Sequence, residues 1–418
     1  MRTELAAAEA LALILDETLP LAPESVDVRA AQGRVLAEAV VATRRIPPAD
    51  NSAMDGYAVR RADLGAASRE RPVVLRVAFE IAAGGAPQAA LAAGEAARIF
   101  TGAPIPEGAD AVVRQEDVER EGACVRVPLC PGPRENVRDA GEDIEPGQLV
   151  LEPGTAIGPA HAGMLASLGR SVVAVHQRPR VALLSSGDEL VEPDGDIAGG
   201  RIVSSNSYTL AAQCREVQAD PVYLGIARDT PEALLQRFRG GLRADVIVSS
   251  AGVSVGDRDY VRGVLTKLGC ELRFWGVRIK PGFPLAFGRL GGDAGALVFG
   301  LPGNPVSAMV TFEEFVRPAL RKLAGHRALF RPQVRARLAE RLAKKPGRLH
   351  FVRVVLEHRD GEIVARSAGN QSSGALLPML RGHGLLVFPA EASELCEGEV
   401  ATVQVLDPGF LDSPQPGF

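Results

Sequence analysis

The hydrophobic rhythm of this 418-residue chain changes several times between its ends. Residues 3–19 predict an amphipathic helix, closed by Pro20 and Pro23. The stretch RRIPPADNSAMDGYAVR (44–60) breaks into a Pro-rich loop with small and acidic residues. From about 72 to 130 come short β-type runs, PVVLRVAFEI, AARIFTG, ADAVVRQEDVE and ACVRVPL, separated by Gly and Pro. They predict a small all-β domain. PGPRENVRDAGEDIEPGQLV returns to loop, and GPAHAGMLASLG (158–169) reads as a short helix.

Residues 179–325 follow another grammar. RVALLSSG, DPVYLGI, ADVIVSS, ELRFWGV and ALVFG are compact apolar runs, and NSYTLAAQCREV, TPEALLQRFRGGL and DYVRGVLTKLG are helical stretches between them. That alternation predicts a parallel, doubly wound α/β sheet. Thr230-Pro231 reads as a helix cap followed by an N1 proline, and Asn304-Pro305 repeats the device. Beyond about 328, VRARLAERL, LHFVRVVLEH, EIVARSAG, GLLVFPA and EVATVQVL predict a small β-barrel or sandwich, followed by a short tail.

Composition narrows the classes. Apolar residues make up 46% and charged ones 23%, ordinary for a globular protein, and the length calls for about three domains. A net charge of −4, with basic residues spread along the chain, excludes a nucleic-acid binder, so an anionic ligand needs a local cationic pocket. Five scattered cysteines without a C-x-x-C pair, and six histidines without ligand spacing, argue against disulfides and zinc. Any metal is expected to be hard and oxygen-bound, as Mg²⁺ is. Glu4, Glu9, Asp16 and Glu17 argue against a signal peptide, and no run reaches the ~18 apolar residues of a membrane span. A cytoplasmic protein is expected.

The chemistry is expected beyond the carboxyl ends of the α/β strands. Three of them end alike, in LLSSGDEL, IVSSAGVSVGDRD and VFGLPGNP. Gly, Ser and Pro there let backbone N–H groups turn toward an anion, although any one such turn would serve equally as a connection. Asp188, Glu189, Asp229, Asp257 and Asp259 fall at these strand ends or helix starts. Capping accounts for some of them, but for at most one of the pair Asp257 and Asp259. Carboxylates beside an anion-binding turn suit Mg²⁺ bridging to a phosphate. Arg278 and Lys280 in RIKPGFP could clamp an oxyanion. No P-loop, dinucleotide fingerprint or nucleophile elbow is present.

DNSAMDGYAVR, TGAPIPEGADAVV, GEDI, LLSSGDEL, SSAGVSVGDRDY, IKPG and GLPGNPVSA occur in the order found in molybdopterin molybdenumtransferases. Over nearly its whole length the chain resembles these MoeA-type enzymes, whose eukaryotic relatives include the E domain of gephyrin. The resemblance implies a multidomain α/β plus β homodimer. Its parts would be a discontinuous linker domain (1–47 and 137–177), a small β-domain (48–136), a molybdopterin-binding α/β domain (178–327), a C-terminal β-barrel (328–408) and a tail (409–418). It also implies a cleft between the α/β domain of one subunit and the small β-domain of the other. Adenylylated molybdopterin and molybdate would react there with Mg²⁺, yielding molybdenum cofactor and AMP. A molybdopterin adenylyltransferase and molybdoenzyme apoproteins would be its partners.

Residue by residue, the resemblance implies that Asp55, Thr101 and Asp143 are the polar positions brought by the small β-domain and linker. Glu189, Asp229 and Asp259, with Asp257 beside them, are the acidic and metal-binding positions, and Lys280 is the lysine of the IKPG turn. Ser186, Gly187, Ser250, Gly252 and Ser254 lie on the phosphate-holding turns, with Pro302, Gly303, Asn304 and Pro305. Arg353 and Ser373 are the oxyanion-facing positions of the last domain. Two positions depart from the family pattern. Phe283 stands where the family commonly has a lysine, and Gly276 follows Trp275 where another lysine is frequent. Each lost cation is worth about 1–3 kcal/mol of oxyanion binding if buried and direct. Either Arg278 or Arg353 compensates, or the chain is a paralogue with altered oxyanion preference, such as tungstate, or a non-catalytic pterin-binding scaffold.

Overall fold

The computed structural model describes residues 2–250, 260–292 and 295–412. A seven-stranded sheet organises the chain, in the order Arg2–Leu5, Cys270–Val277, Ala286–Leu290, Ala296–Leu301, Val246–Ser250, Arg180–Ser186, Asp220–Ala227. The strands run parallel except Ala286–Leu290, which is antiparallel to both neighbours. The sheet is therefore mixed rather than wholly parallel. Ala286–Leu290 escaped the sequence reading because Gly288 interrupts its apolar run and no helix precedes it. A chain that doubles back without a crossover helix can only pair antiparallel.

Apolar strand residues bury both faces of this sheet. Phe274, Phe287 and Phe299 are fully buried and stack in series, with ring centroids 5.7 Å and 5.1 Å apart. Burying each ring contributes about 1.5–3 kcal/mol.

The N-terminus differs from expectation. Arg2–Leu5 is an edge strand paired with Phe274–Val277, and the helix spans only Ala7–Asp16. Leu5, Ala10 and Ile14 anchor both in the α/β core, and that tertiary pairing overrides the local helical pattern. The expected linker domain joins 1–47 with 137–177. In the structure Pro23–Asp27 pairs with Val172–His176 and Val40–Val41 with Leu149–Leu151, whereas Arg2–Asp16 packs in the α/β core.

Residues 56–127 form a six-stranded sheet with its own apolar clusters. At the C-terminus five strands close into a barrel, because Leu349–Arg359 pairs with both Glu362–Ser367 and Gly384–Phe388. The two-residue strand Ile279–Lys280 joins that barrel, in parallel with Leu349 and His350. Phe351 and Leu385 of the barrel belong to the α/β core, so the two units share one apolar interior. No helix among the described residues is long and apolar enough to cross a membrane.

Arginines clamp the chain where it passes from α/β domain to barrel. Arg317 donates to the Leu329 carbonyl (3.0 Å) and Arg321 to that of Ala328 (2.8 Å), and Arg331 pairs with Glu313 and Glu216 (both 2.6 Å). Beside them Gln404 Nε2 of the barrel donates to the Glu314 carboxyl at 3.1 Å. Burial pushes that carboxyl up to about 8, against the hydrogen bond from Gln404, with Glu313 adding to the rise and Arg317 opposing it. The folded state thus holds a proton that an unfolded carboxyl, with an ordinary value of 4.5, releases. Stability contributed at this joint should fall as pH rises from about 4.5 to about 8. Glu314→Gln should flatten the pH dependence of the melting temperature in that window. An unchanged slope would show that Glu314 does not carry the linkage.

Candidate functional site

The strand Arg180–Ser186 ends beside Val246–Ser250 and Asp220–Ala227, so their carboxyl ends open on one side of the sheet. There Ser186, Glu189, Ser250, Pro302, Gly303, Asn304 and Pro305 line a single cleft of about 390 Å³. These sequence-predicted positions come from three chain segments and meet as expected for an anion site. Gly187 directs the turn. Its φ is +151°, and a Cβ there would lie 2.7 Å from a carboxylate oxygen of Glu189. Only glycine lets that carboxylate fold back over the turn.

Polar groups crowd the floor. Ser185 Oγ lies 3.2 Å from both Ser250 Oγ and Ser204 Oγ, while Asn206 Nδ2 donates to the Gly303 carbonyl at 2.8 Å. Ser186 Oγ and Asn206 Oδ1 are buried with no hydrogen-bond partner among the described residues. Buried polar atoms left unpaired cost stability, which is how binding sites prepared for a polar ligand look. Ser204 and Asn206 escaped the sequence reading, which took NSYTLAAQCREV for a helix only. The signal was the run Ser204-Ser205-Asn206 at its start, like the three anion turns. Asn304 does not cap its helix with its side chain, contrary to expectation, and instead lines the cleft, whereas Thr230 does cap, accepting from Ala233 N–H.

Asp229 follows the neighbouring strand, and its N–H donates to Asp188 Oδ1 at 3.2 Å. Gly252, Ser254, Asp257 and Asp259 lie outside the described residues. Among the described residues no three His, Cys, Asp or Glu side chains converge as a metal site.

A second hollow of about 650 Å³ shares Pro284 with the cleft. Lys280, Phe283, Ser307, Arg348, Gln371 and Ser373 are on its walls, and no carboxylate lines it. Gly282 is required in the Lys280 turn. At φ +110° a Cβ would come within 2.5 Å of the Thr311 methyl. Ser373 is tied to the helix that follows Asn304 through its carbonyl, which accepts from Val306 N–H at 3.0 Å.

Arg353 is placed differently from its expected role. It is 1% exposed, and its Nη2 donates to the carbonyls of Asn370 and Ser372, both at 3.0 Å. It sits under the 370–373 loop and shapes the hollow from below, and burial pushes its guanidinium down to about 10. Burial, aided by Lys280, Arg353 and Lys344, likewise pushes His350 down to about 4. Neither Arg278 nor Arg353 is among the residues lining the hollow beside Phe283. The cation beside that ring is Arg348, which the sequence reading did not single out.

Asp55 and Thr101 do come together. Thr101 donates to Asp55 Oδ1 through both its N–H and its hydroxyl, each at 2.8 Å. Those donors, N–H first, hold the Asp55 carboxyl below its ordinary value, helped by the charge of Arg98. Asp143 is on another segment, with its N–H donating to the Ile46 carbonyl at 3.1 Å. None of the three lines the cleft or the hollow of its own chain.

Comparison with known proteins decides the family. Residues 5–169 match the MoeA N-terminal region (domain I and II), 182–322 the "Probable molybdopterin binding domain", and 335–406 the MoeA C-terminal region (domain IV). The chain belongs to the MoeA family. A molybdopterin molybdenumtransferase of Nostoc sp. is 40% identical over 90% of this chain and 87% of its own. That of Haemophilus influenzae is 36% identical over 92% and 94%. The molybdopterin biosynthesis moeA protein of Pyrococcus horikoshii superposes with a TM-score of 0.81 at 31% identity, covering 96% of this chain and 100% of that one. This MoeA-family chain is accordingly a transferase of molybdenum cofactor biosynthesis.

The paired donors make a direct test. In a carbon-13 NMR titration the Asp55 carboxyl should titrate below 3.8, and Thr101→Val, which removes one donor and keeps the other, should move it upward. An unmoved titration would detach Thr101 from Asp55.

Proposed function

We propose that the chain inserts molybdate into adenylylated molybdopterin and releases AMP, with Mg²⁺ as cofactor, as a cytoplasmic homodimer. The observation that carries this reading is the adjacency of two unlike hollows at Pro284. The first offers Ser, Asn and Gly turns with one carboxylate, suited to a phosphorylated pterin. The second offers Lys280, Arg348 and hydroxyl groups without a carboxylate, suited to a tetrahedral oxyanion.

Glu189 is a hard oxygen donor at the cleft, which fits Mg²⁺, and Asp229 follows the adjacent strand. Together they would hold the ion with pyrophosphate oxygens and with the aspartates assigned from sequence, Asp257 and Asp259. Bound there, Mg²⁺ would supply charge neutralisation at the pyrophosphate. The chain's own groups do the rest. Ser186, Ser250 and the 302–305 turn seat the phosphates. Lys280 and Ser373 hold the oxyanion beside them, and Arg353 keeps the 370–373 loop in place. Asp55 and Thr101 stand ready on a separate unit, and a second copy would bring them to the cleft.

AMP release from adenylylated molybdopterin should require both molybdate and Mg²⁺ and stop with EDTA, with tungstate run in parallel. Glu189→Gln should lower turnover about 100-fold while leaving the melting temperature unchanged. AMP release that ignores molybdate, or binding of both ligands without release, would replace this reading by that of a pterin-binding scaffold.

A further inference from the structure

We propose that Arg348, mounted on the ring of Phe283, is the side chain with which this chain grips and selects its tetrahedral oxyanion. The inference rests on the oxyanion reading of the second hollow. The Arg348 guanidinium carbon lies 4.6 Å from the Phe283 ring centroid. Trp275 braces that ring edge-on, with centroids 5.6 Å apart and planes at 85°. Gly276 adjoins it, since a Cβ at 276 would sit in van der Waals contact, 3.4 Å from Phe283 Cζ. The two unusual residues of the sequence, Gly276 and Phe283, are therefore neighbours in one assembly that ends in a cation.

Stacking uses the face of a guanidinium and leaves its in-plane N–H groups available. Arg348 is exposed on the wall of the hollow, and no described residue offers it a carboxylate within ion-pair distance, unlike many of the chain's arginines. Lys280 shares that wall as a point charge, whereas the planar fork of Arg348 spans two oxygens of one tetrahedral anion. Phe283 is thus a positioning residue. Its ring replaces the freedom of a long side chain with one orientation, so that less entropy is lost when the anion binds.

Equilibrium dialysis of the full-length protein with molybdate, and with sulfate as competitor, tests this. Arg348→Ala should weaken molybdate binding about 10- to 100-fold, and Arg348→Lys should recover part of the affinity but not the preference over sulfate. Phe283→Ala should weaken binding several-fold in the parent and have no further effect in the Arg348→Ala background. Binding by Arg348→Ala within twofold of the parent overturns the proposal, and additive effects overturn the role of the ring. A parent protein that takes up no molybdate overturns both this inference and the oxyanion reading of the hollow. A parent that binds molybdate through Arg348 but releases no AMP upholds this inference while sinking the proposed reaction.

Discussion

Lys280 stands on a two-residue strand that serves two domains at once. Ile279 and Lys280 leave the α/β sheet after Val277 and immediately pair with Leu349 and His350 of the barrel. Phe351 and Leu385 bury the joint in the α/β core, and the arginine clamps at 328–331 fix where the chain crosses. If this strand were free, the Lys280 turn and the 370–373 loop would move independently and the second hollow would have no fixed width. Pairing with the barrel makes a wall from two segments that are far apart in sequence. The shape of the second hollow depends on that docking more than on any single polar residue.

Polar groups at the site are held by main-chain atoms rather than by opposite charges. Arg353 bonds two carbonyls and Asn206 a third, and away from the cleft, on the small β-domain, Thr101 likewise presents a backbone N–H to Asp55. Main-chain partners position a side chain without neutralising it, so the charge remains for a ligand. The cost appears in the unpaired Ser186 Oγ and Asn206 Oδ1, which add nothing to the stability of the empty fold. The cleft is thus built against local stability, and the apolar sheet beneath offsets it.

Much of this was legible in the chain, for stated reasons. Compact apolar runs between turn residues announced the α/β sheet, and the three Ser, Gly and Pro strand ends announced segments whose described residues line one cleft. Asp55 and Thr101 were legible only through resemblance, because nothing local in MDGYA or TGAP tells a loop from a site. Arg2–Leu5 was misread because its strand exists only while Phe274–Val277 is there to pair with it. Ala286–Leu290 was missed because a short strand containing glycine has no pattern of its own.

What the sequence determined alone is the set of local preferences: periodicity, turn chemistry, the absence of cysteine or histidine ligand sets, and the two departures at Gly276 and Phe283. Tertiary structure decided which of these meet. It drew Arg353 under a loop instead of into the hollow, turned Asn304 from cap to cleft, and brought Arg348 over Phe283 across 64 intervening positions of chain. The physical reason is that periodicity and capping act over a few residues, whereas burial and stacking depend on which surfaces the folded chain presses together.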